Sequence, residues 1–357
     1  MPLLARMLNA PLFVDVRPGA VASLATLLAD RRISAGGEVA DVVGDGQGEA
    51  VLAGLDNTLG QGSAFVVNAG TVEAAADLVT RIGSSMYDAV VGIGGGRTLD
   101  VTKWAATRLG LPMVAVATNL SHDGIASPVS SLIHEGGNGS YGVTPPVAVI
   151  VDLDYVRSAP VPMVRAGVGD VVSNLTAIAD WLLAHDVRDE PVDGFAIALG
   201  RTAAESLLYR PDGIESEGFL TALAEALVLS AMAMVAAGSS RPCSGADHEI
   251  LHAIEHLHPG TSNHGELAGI GALFAAFLRE DKALFTAINQ CLRRHGLPRT
   301  PADIDLTEEE FVAAVLYAPR TRPDRYTILE HVDLTEAEAA KAVRSFLSHG
   351  GHDQDRQ

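Results

Sequence analysis

The first 155 residues alternate between short β-branched apolar runs and amphipathic stretches. Residues 12–16, 39–43, 64–67, 89–93, 113–117 and 147–151 read as strands, and 20–30, 72–82 and 98–109 as helices between them. Near-continuous apolar strands separated by helices predict a parallel sheet covered on both faces. Such sheets collect ligands at the carboxyl ends of their strands. Segment 131–146 breaks the rhythm, and its Gly136, Gly137, Asn138 and Gly139 predict a β-hairpin or a mobile loop. After Asp154 the strand signal stops. From Val164 onward Ala/Leu-rich stretches dominate and read as a helical bundle. Thr307 with Glu310 and Thr335 with Glu338 carry capping-box spacing at two late helix starts. The expected fold class is an N-terminal α/β domain with a parallel sheet followed by an all-α domain. The boundary is expected between 156 and 162, where Pro160 and Pro162 punctuate the chain. The polar tail 349–357 is expected to fray.

At 357 residues the chain has room for two cores. Its 25 Lys and Arg against 44 Asp and Glu give a formal charge of −19. That balance repels phosphate backbones and anionic membrane surfaces, which argues against a nucleic-acid partner. Cys243 and Cys291 are too few for a disulfide framework and fit a reducing cytoplasm. Residues 1–16 show no sustained apolar segment ending in a small-residue cleavage site, so no signal peptide is expected. The most membrane-like stretch, 219–238, is Ala-rich and carries Glu225, and reads as a buried helix rather than a span.

Candidate chemistry begins with Gly94, Gly95 and Gly96, between a buried strand and a helix start. Glycines there admit a ligand close to the backbone, and the helix behind them offers unpaired N–H groups to a pyrophosphate. A tight strand–helix turn would need the same glycines, and the spacing is not the common Rossmann GxGxxG. After the fifth strand comes Thr118-Asn-Leu-Ser-His-Asp-Gly-Ile-Ala-Ser-Pro128, a polar, glycine-containing edge suited to ligand contact. Asp45, just past the second strand, either accepts ribose hydroxyls or belongs to a plain turn. In the second half, Asp170 lies in GVGDVVSN, where a helix is expected to begin. His248 and His252 are one helical turn apart, and His264 opens His-Gly-Glu266. Imidazole and carboxylate together suit Zn²⁺, Fe²⁺ or Ni²⁺, and three protein ligands leave a position for a substrate oxygen. Histidines clustered by chance on a solvated helix, with His256 and His258 close by, are the bland alternative.

Six segments resemble the sn-glycerol-1-phosphate dehydrogenase family, within the group of iron-dependent alcohol dehydrogenases, glycerol dehydrogenases and dehydroquinate synthases. They are GIGGGRTLDVTK, SHDGIASP, GVGDVVSN, SSRPCSGADHEILHA, HGE and RYTIL, in the family's order along most of the chain. The resemblance implies an NAD(P)-binding α/β domain at 1–158 and a helical metal- and substrate-binding domain at 159–357, with the active site in the cleft between them. It implies that Gly94, Gly95, Gly96, Asp100, Thr118, Asn119, Ser121 and Ser127 bind NAD(H) or NADP(H). Asp170, His248 and His264 would hold one divalent metal, Zn²⁺ first, with Ni²⁺ or Fe²⁺ as alternatives. Asp123 and His252 would act on the substrate, with His252 or a water it holds as a proton source whose pKa lies near working pH. The implied reaction is reversible reduction of dihydroxyacetone phosphate, by a cytoplasmic homo-oligomer with a small phosphorylated substrate and no membrane insertion. The alternative is a related polyol or alcohol dehydrogenase acting on an unphosphorylated ketone. A dehydroquinate-synthase-like cyclase would carry Glu at position 170 and Asn-x-Gly-His-Thr before the helical histidines; this chain has neither. Two residues depart from the family pattern: Arg97 stands where Lys is usual, and Asp247 where Glu is common. Neither is expected to touch the proposed ligands.

Overall fold

A computed structural model describes residues 11–55, 63–135 and 137–351. The readings on residues 1–10, Gly136 and the tail beyond 351 fall outside the described residues. The chain divides into two compact units, Met1–Ala159 and Pro160–Gln357.

In the first unit, strands β1 (Phe13–Arg17), β2 (Val39–Gly44), β3 (Ser63–Val67), β4 (Ala89–Gly94), β5 (Met113–Ala117) and β8 (Ala148–Asp152) form one sheet. All pair in parallel, in the order β1-β8-β5-β4-β2-β3. β4, β5 and β8 are buried along their whole length, which is why their apolar runs show no alternation. Parallel pairing demands crossovers, and among those of this unit are helices α1 (Leu24–Leu28), α2 (Gln47–Leu55), α3 (Val72–Gly83) and α4 (Gly96–Leu109). The glycine-rich interruption is a hairpin of β6 (Val129–His134) and β7 (Gly137–Gly142). The stretch 20–30 differs from the single helix expected: a 3₁₀ turn, Ala20–Ser23, precedes the short α1. The Asp152 carboxylate accepts the Gly19 and Val21 N–H groups at 3.0 Å each and fixes that tight entry. α5 (Leu153–Ser158) closes the unit. β3 lies outside β2, and the chain then returns to build β4 and β5 on β2's other side. The winding direction therefore reverses between β2 and β4, and sheets of this kind receive ligands past the carboxyl strand ends at such a point.

The second unit contains α6 (Val161–Arg188), α7 (Gly194–Leu208), α8 (Glu217–Ala237), α9 (Ala246–Leu257), α10 (His264–Leu278), α11 (Lys282–Arg294), α12 (Glu308–Tyr317), α13 (Ile328–Val332) and α14 (Glu336–Gly351). Both capping boxes hold, with Glu310 and Glu338 accepting the N–H groups of Thr307 and Thr335. α8 has the length and apolarity of a membrane span, but 67 % of its most apolar window is buried inside the protein, as expected of a core helix. Asp170 departs from the expectation of a helix start and sits well inside α6. Its flanking glycines serve packing, because a Cβ on Gly169 would strike the Gly265 carbonyl and one on Gly265 the Ala166 carbonyl. α6 and α10 thus touch backbone to backbone. The fully buried Asp180 accepts the N–H groups of Ala246 at 2.8 Å and Ile328 at 2.7 Å and pairs with Arg279. One carboxylate thereby ties α6 to the ends of α9, α10 and α13.

The α6–α10 contact makes a direct prediction. Gly265→Ala should cost about 1–3 kcal/mol through overpacking and lower the melting temperature by several degrees. Gly194→Ala, with no atom within 4 Å of its added Cβ, should leave it nearly unchanged. Calorimetry on the two variants makes the comparison.

Candidate metal centre and dinucleotide loop

α9 presents His248 and His252 one turn apart, and α10 presents His264 at its first residue. The Glu266 carboxylate fixes that start by accepting the Asn263 N–H at 3.2 Å and the Ser262 hydroxyl at 2.6 Å. Asp170 approaches from α6. Its Oδ1 lies 3.7 Å from His248 Nε2 and 3.9 Å from His264 Nε2. One ligand atom from each of Asp170, His248 and His264 falls within 4.8 Å of the others. The His252 ring stands beside them, 6.1 and 6.0 Å from the rings of His248 and His264. His256 is apart from this group, stacked on Tyr317 at 4.9 Å.

Carboxylates orient every ring. Asp247 Oδ1 contacts His248 Nδ1 at 2.6 Å, while its other oxygen accepts the Thr176 hydroxyl at 2.8 Å. Asp247 therefore touches a proposed ligand, contrary to expectation. The shorter side chain still reaches because Asp247 is fully buried, directly preceding the histidine it holds. Glu255 faces His252 Nδ1 at 3.2 Å and His264 Nδ1 at 3.5 Å. A carboxylate on Nδ1 leaves Nε2 as the ligating nitrogen. Burial opposes charge on His248, but hydrogen bonds to Asp170 and Asp247 outweigh it and raise its pKa to about 10. His264 is also raised, as Glu255 outweighs burial. The point where the three ligand atoms converge therefore favours positive charge, and an N₂O donor set there suits a borderline divalent cation.

His252 behaves otherwise. Arg322 Nη2 lies 3.1 Å from its Nε2, and a guanidinium can only donate. The Nε2 lone pair is the acceptor, and the ring proton sits on Nδ1 toward Glu255. Burial first, then the charges of Arg322 and His264, lower the His252 pKa to about 4 despite Glu255. The expectation of a pKa near working pH is thus corrected: His252 is a neutral acceptor. Glu255 and Arg322 escaped the sequence reading. Glu255 carried a signal, three residues after His252 on the same helix, whereas Arg322 is brought in by the fold alone.

In the first unit, Gly94 ends β4 and Gly95 caps α4 without a side-chain cap. Thr118 is buried and gives its N–H to the Gly94 carbonyl at 3.0 Å. Cβ atoms on Gly95 and Gly96 would collide with Asn119 Nδ2 and His122 Nε2, so the strand-five loop lies directly against the glycine loop. Asn119 Oδ1 accepts the Ser121 N–H at 3.3 Å. Asp100 is buried and pairs at 3.0 Å with Lys103, whose ammonium also reaches Ser127 Oγ at 3.2 Å and the Val129 carbonyl at 2.5 Å. Lys103, missed as a functional residue, fastens one proposed site residue to another. Asp123 opens a 3₁₀ turn, Asp123–Ile125. Asp45 stands in the turn after β2, exposed and 3.3 Å from Arg97. These glycines, with uncapped helix N–H groups behind them, form a cradle that a dinucleotide pyrophosphate fits.

Residues 15–160 match the family model of iron-containing alcohol dehydrogenases. The chain is 39 % identical over 318 residues to a glycerol-1-phosphate dehydrogenase (NAD(P)+) of Methanoculleus marisnigri, covering 87 % of this chain and 85 % of that protein. It belongs to the glycerol-1-phosphate dehydrogenase family. A second such dehydrogenase, from Archaeoglobus fulgidus, is 37 % identical over 279 residues, 77 % of this chain and 80 % of the relative. The fold of this family member is shared with glycerol dehydrogenase of Schizosaccharomyces pombe, at TM-score 0.78 and 19 % identity over 98 % of this chain and 92 % of that one. A probable glycerol dehydrogenase of Sinorhizobium meliloti gives TM-score 0.77 at 21 % identity, covering 97 % and 99 %.

The geometry separates the histidines of this family member by metal content. His264→Ala and His248→Ala should lose bound metal, whereas His252→Ala should retain it and show impaired turnover. Asp247→Asn should weaken metal affinity about 10–100-fold through loss of the orienting carboxylate. Elemental analysis and metal titration of the purified variants give the readout; equal metal loss in His252→Ala would move the ligand one turn along α9.

Proposed function

We propose that the chain catalyses the reversible NAD(P)H-linked reduction of dihydroxyacetone phosphate to sn-glycerol 1-phosphate. The observation that carries this reading is the convergence of Asp170, His248 and His264 in a chain 39 % identical to a glycerol-1-phosphate dehydrogenase. Asp170, His248 and His264 would hold one divalent ion, Zn²⁺ first and Ni²⁺ or Fe²⁺ as alternatives. Gly94, Gly95 and Gly96, with Asp100, Thr118, Asn119, Ser121 and Ser127, would hold NAD(H) or NADP(H), which makes the first unit the dinucleotide-binding domain and the second the metal- and substrate-binding one. When bound, the ion supplies Lewis acidity toward a carbonyl oxygen and the nicotinamide supplies hydride.

The chain's own residues do the placing. Asp247 and Glu255 lock the rings of His248 and His264, so that Nε2 of each faces the Asp170 carboxylate. His252, neutral, with its Nδ1 proton committed to Glu255 and its Nε2 lone pair to Arg322, would meet a substrate hydroxyl by exchanging it for the Arg322 donor rather than by delivering a proton. Asp123, on the 3₁₀ turn beside the dinucleotide loop, is the other proposed substrate contact. Two buried cysteines not joined to each other support a cytoplasmic setting.

Steady-state assays on dihydroxyacetone phosphate and dihydroxyacetone, with both cofactors, test the substrate. A site built to pair a phosphate leaves polar groups unpaired when the phosphate is missing, which lowers kcat/KM by roughly 10⁴-fold. The product should be refused by an enzyme specific for sn-glycerol 3-phosphate. Preference for the unphosphorylated ketone, or a product that enzyme consumes, would transfer the chain to the polyol-dehydrogenase reading.

A further inference from the structure

We propose that Arg322 is the specificity-determining residue for the substrate phosphate, meeting its oxygens with the guanidinium that holds His252. The inference rests on the proposed substrate and names the residue that recognises its charged end. Arg322 Nη2 lies 3.1 Å from His252 Nε2, so a cation already touches a proposed substrate-contacting ring. No idle donor is required. When a substrate hydroxyl takes the His252 lone pair, the Arg322 N–H there is displaced and needs a new acceptor. A phosphate monoester supplies anionic oxygens, which a planar guanidinium matches in charge and in geometry. In dihydroxyacetone phosphate the hydroxyl and the phosphate sit on the two outer carbons. One exchange thus handles both ends of the molecule, hydroxyl to His252 and phosphate to Arg322.

The surroundings of Arg322 point to an anion independently. Arg241, Arg322 and Arg325 lie close enough for their charges to act on one another. Burial first, and then the charges of Arg322 and Arg241, draw the Arg325 pKa down to about 10. Arg241 is paired with Glu190, its Nε donating at 2.7 Å. Arg325 has neutral acceptors, the Ser244 carbonyl and, at 2.6 Å, the Ser240 hydroxyl. Glu249 and Glu255 act on Arg322, but Glu255 is already divided between His252 and His264. A dianion seated beside Arg322 offsets the repulsion among these cations. The chain on either side of Arg322 is also fastened. Before it, the Thr321 hydroxyl donates to the Ala318 carbonyl at 2.8 Å and closes the 3₁₀ turn Ala318–Thr321. After it, Arg325 binds the segment that leads into α9, the helix of His248 and His252.

The rival role is positional, with Arg322 acting only through His252. The two roles differ in which ketone suffers. A loss that passes through His252 falls alike on dihydroxyacetone phosphate and dihydroxyacetone, whereas loss of a phosphate contact changes the ratio of their kcat/KM values. In the metal-loaded full chain, Arg322→Met should lower that ratio roughly 10–100-fold, as expected for a hydrogen bond to a charged group. The Ki of inorganic phosphate as a competitive inhibitor should rise by a similar factor. Arg322→Lys keeps the charge without the fork and should fall between Met and the parent in both readings. If Arg322→Met does not fold, Arg322→Lys alone reads the ratio. An unchanged ratio in the folded variants, or an unchanged phosphate Ki, overturns the proposal. A parent with no preference for the phosphorylated ketone would instead overturn the substrate reading on which it rests.

Discussion

Backbone contact between α6 and α10 is the constraint on which the proposed metal centre depends. Gly169 precedes Asp170, and Gly265 follows His264. The two glycines let the helices approach until each added Cβ would meet a carbonyl of the other helix. The separation of two proposed ligand residues is therefore set by covalent chain and van der Waals contact, with no long side chain to absorb error. The third proposed ligand, His248, is placed from the other side, through Asp180 holding the Ala246 N–H and Asp247 holding the ring.

Around this frame the charge is arranged in layers. Asp170 faces two imidazoles, and behind each imidazole stands a carboxylate, Asp247 or Glu255. Such carboxylates raise ligand basicity and fix the tautomer. The same Glu255 also orients His252, while burial first, and then the charge of Arg322 on the opposite nitrogen, keep that ring neutral. One glutamate thus sets two histidines to different tasks, because a different group meets each ring at Nε2. A chain carrying a formal charge of −19 can still concentrate a cationic guanidinium at the point where an anionic substrate is proposed to arrive.

The strands were legible because strands buried on both faces must be apolar at every position, and β4, β5 and β8 are. The histidine spacing was legible because a helix repeats its face every turn. The glycines around Asp170 misled, since glycine before a carboxylate looks the same in a loop and in a helix paved for close packing. Only the partner helix distinguishes the two, and α10 begins some hundred residues later, at His264. Asp247 was underrated for a related reason: an i,i+1 neighbour does not share a helical face, yet at a helix N-terminus its side chain can fold back onto the following ring. Arg322, seventy residues from His252, gave no local sign at all.

Lys103 gives the strand-five loop an unusual attachment. The loop begins with the Thr118 N–H on the Gly94 carbonyl and ends with Ser127 and Val129 on the buried Lys103 ammonium. Both anchors belong to the β4–α4 segment that carries the glycines. Loop and glycine turn therefore move as one piece, and breaking either anchor would strand a polar group inside the protein. A ligand seated there meets a surface already in its final shape and sacrifices little chain entropy on arrival. With both ends of the loop held to the segment that carries the glycines, the surface offered there is built by the chain itself and needs no ligand to assemble it.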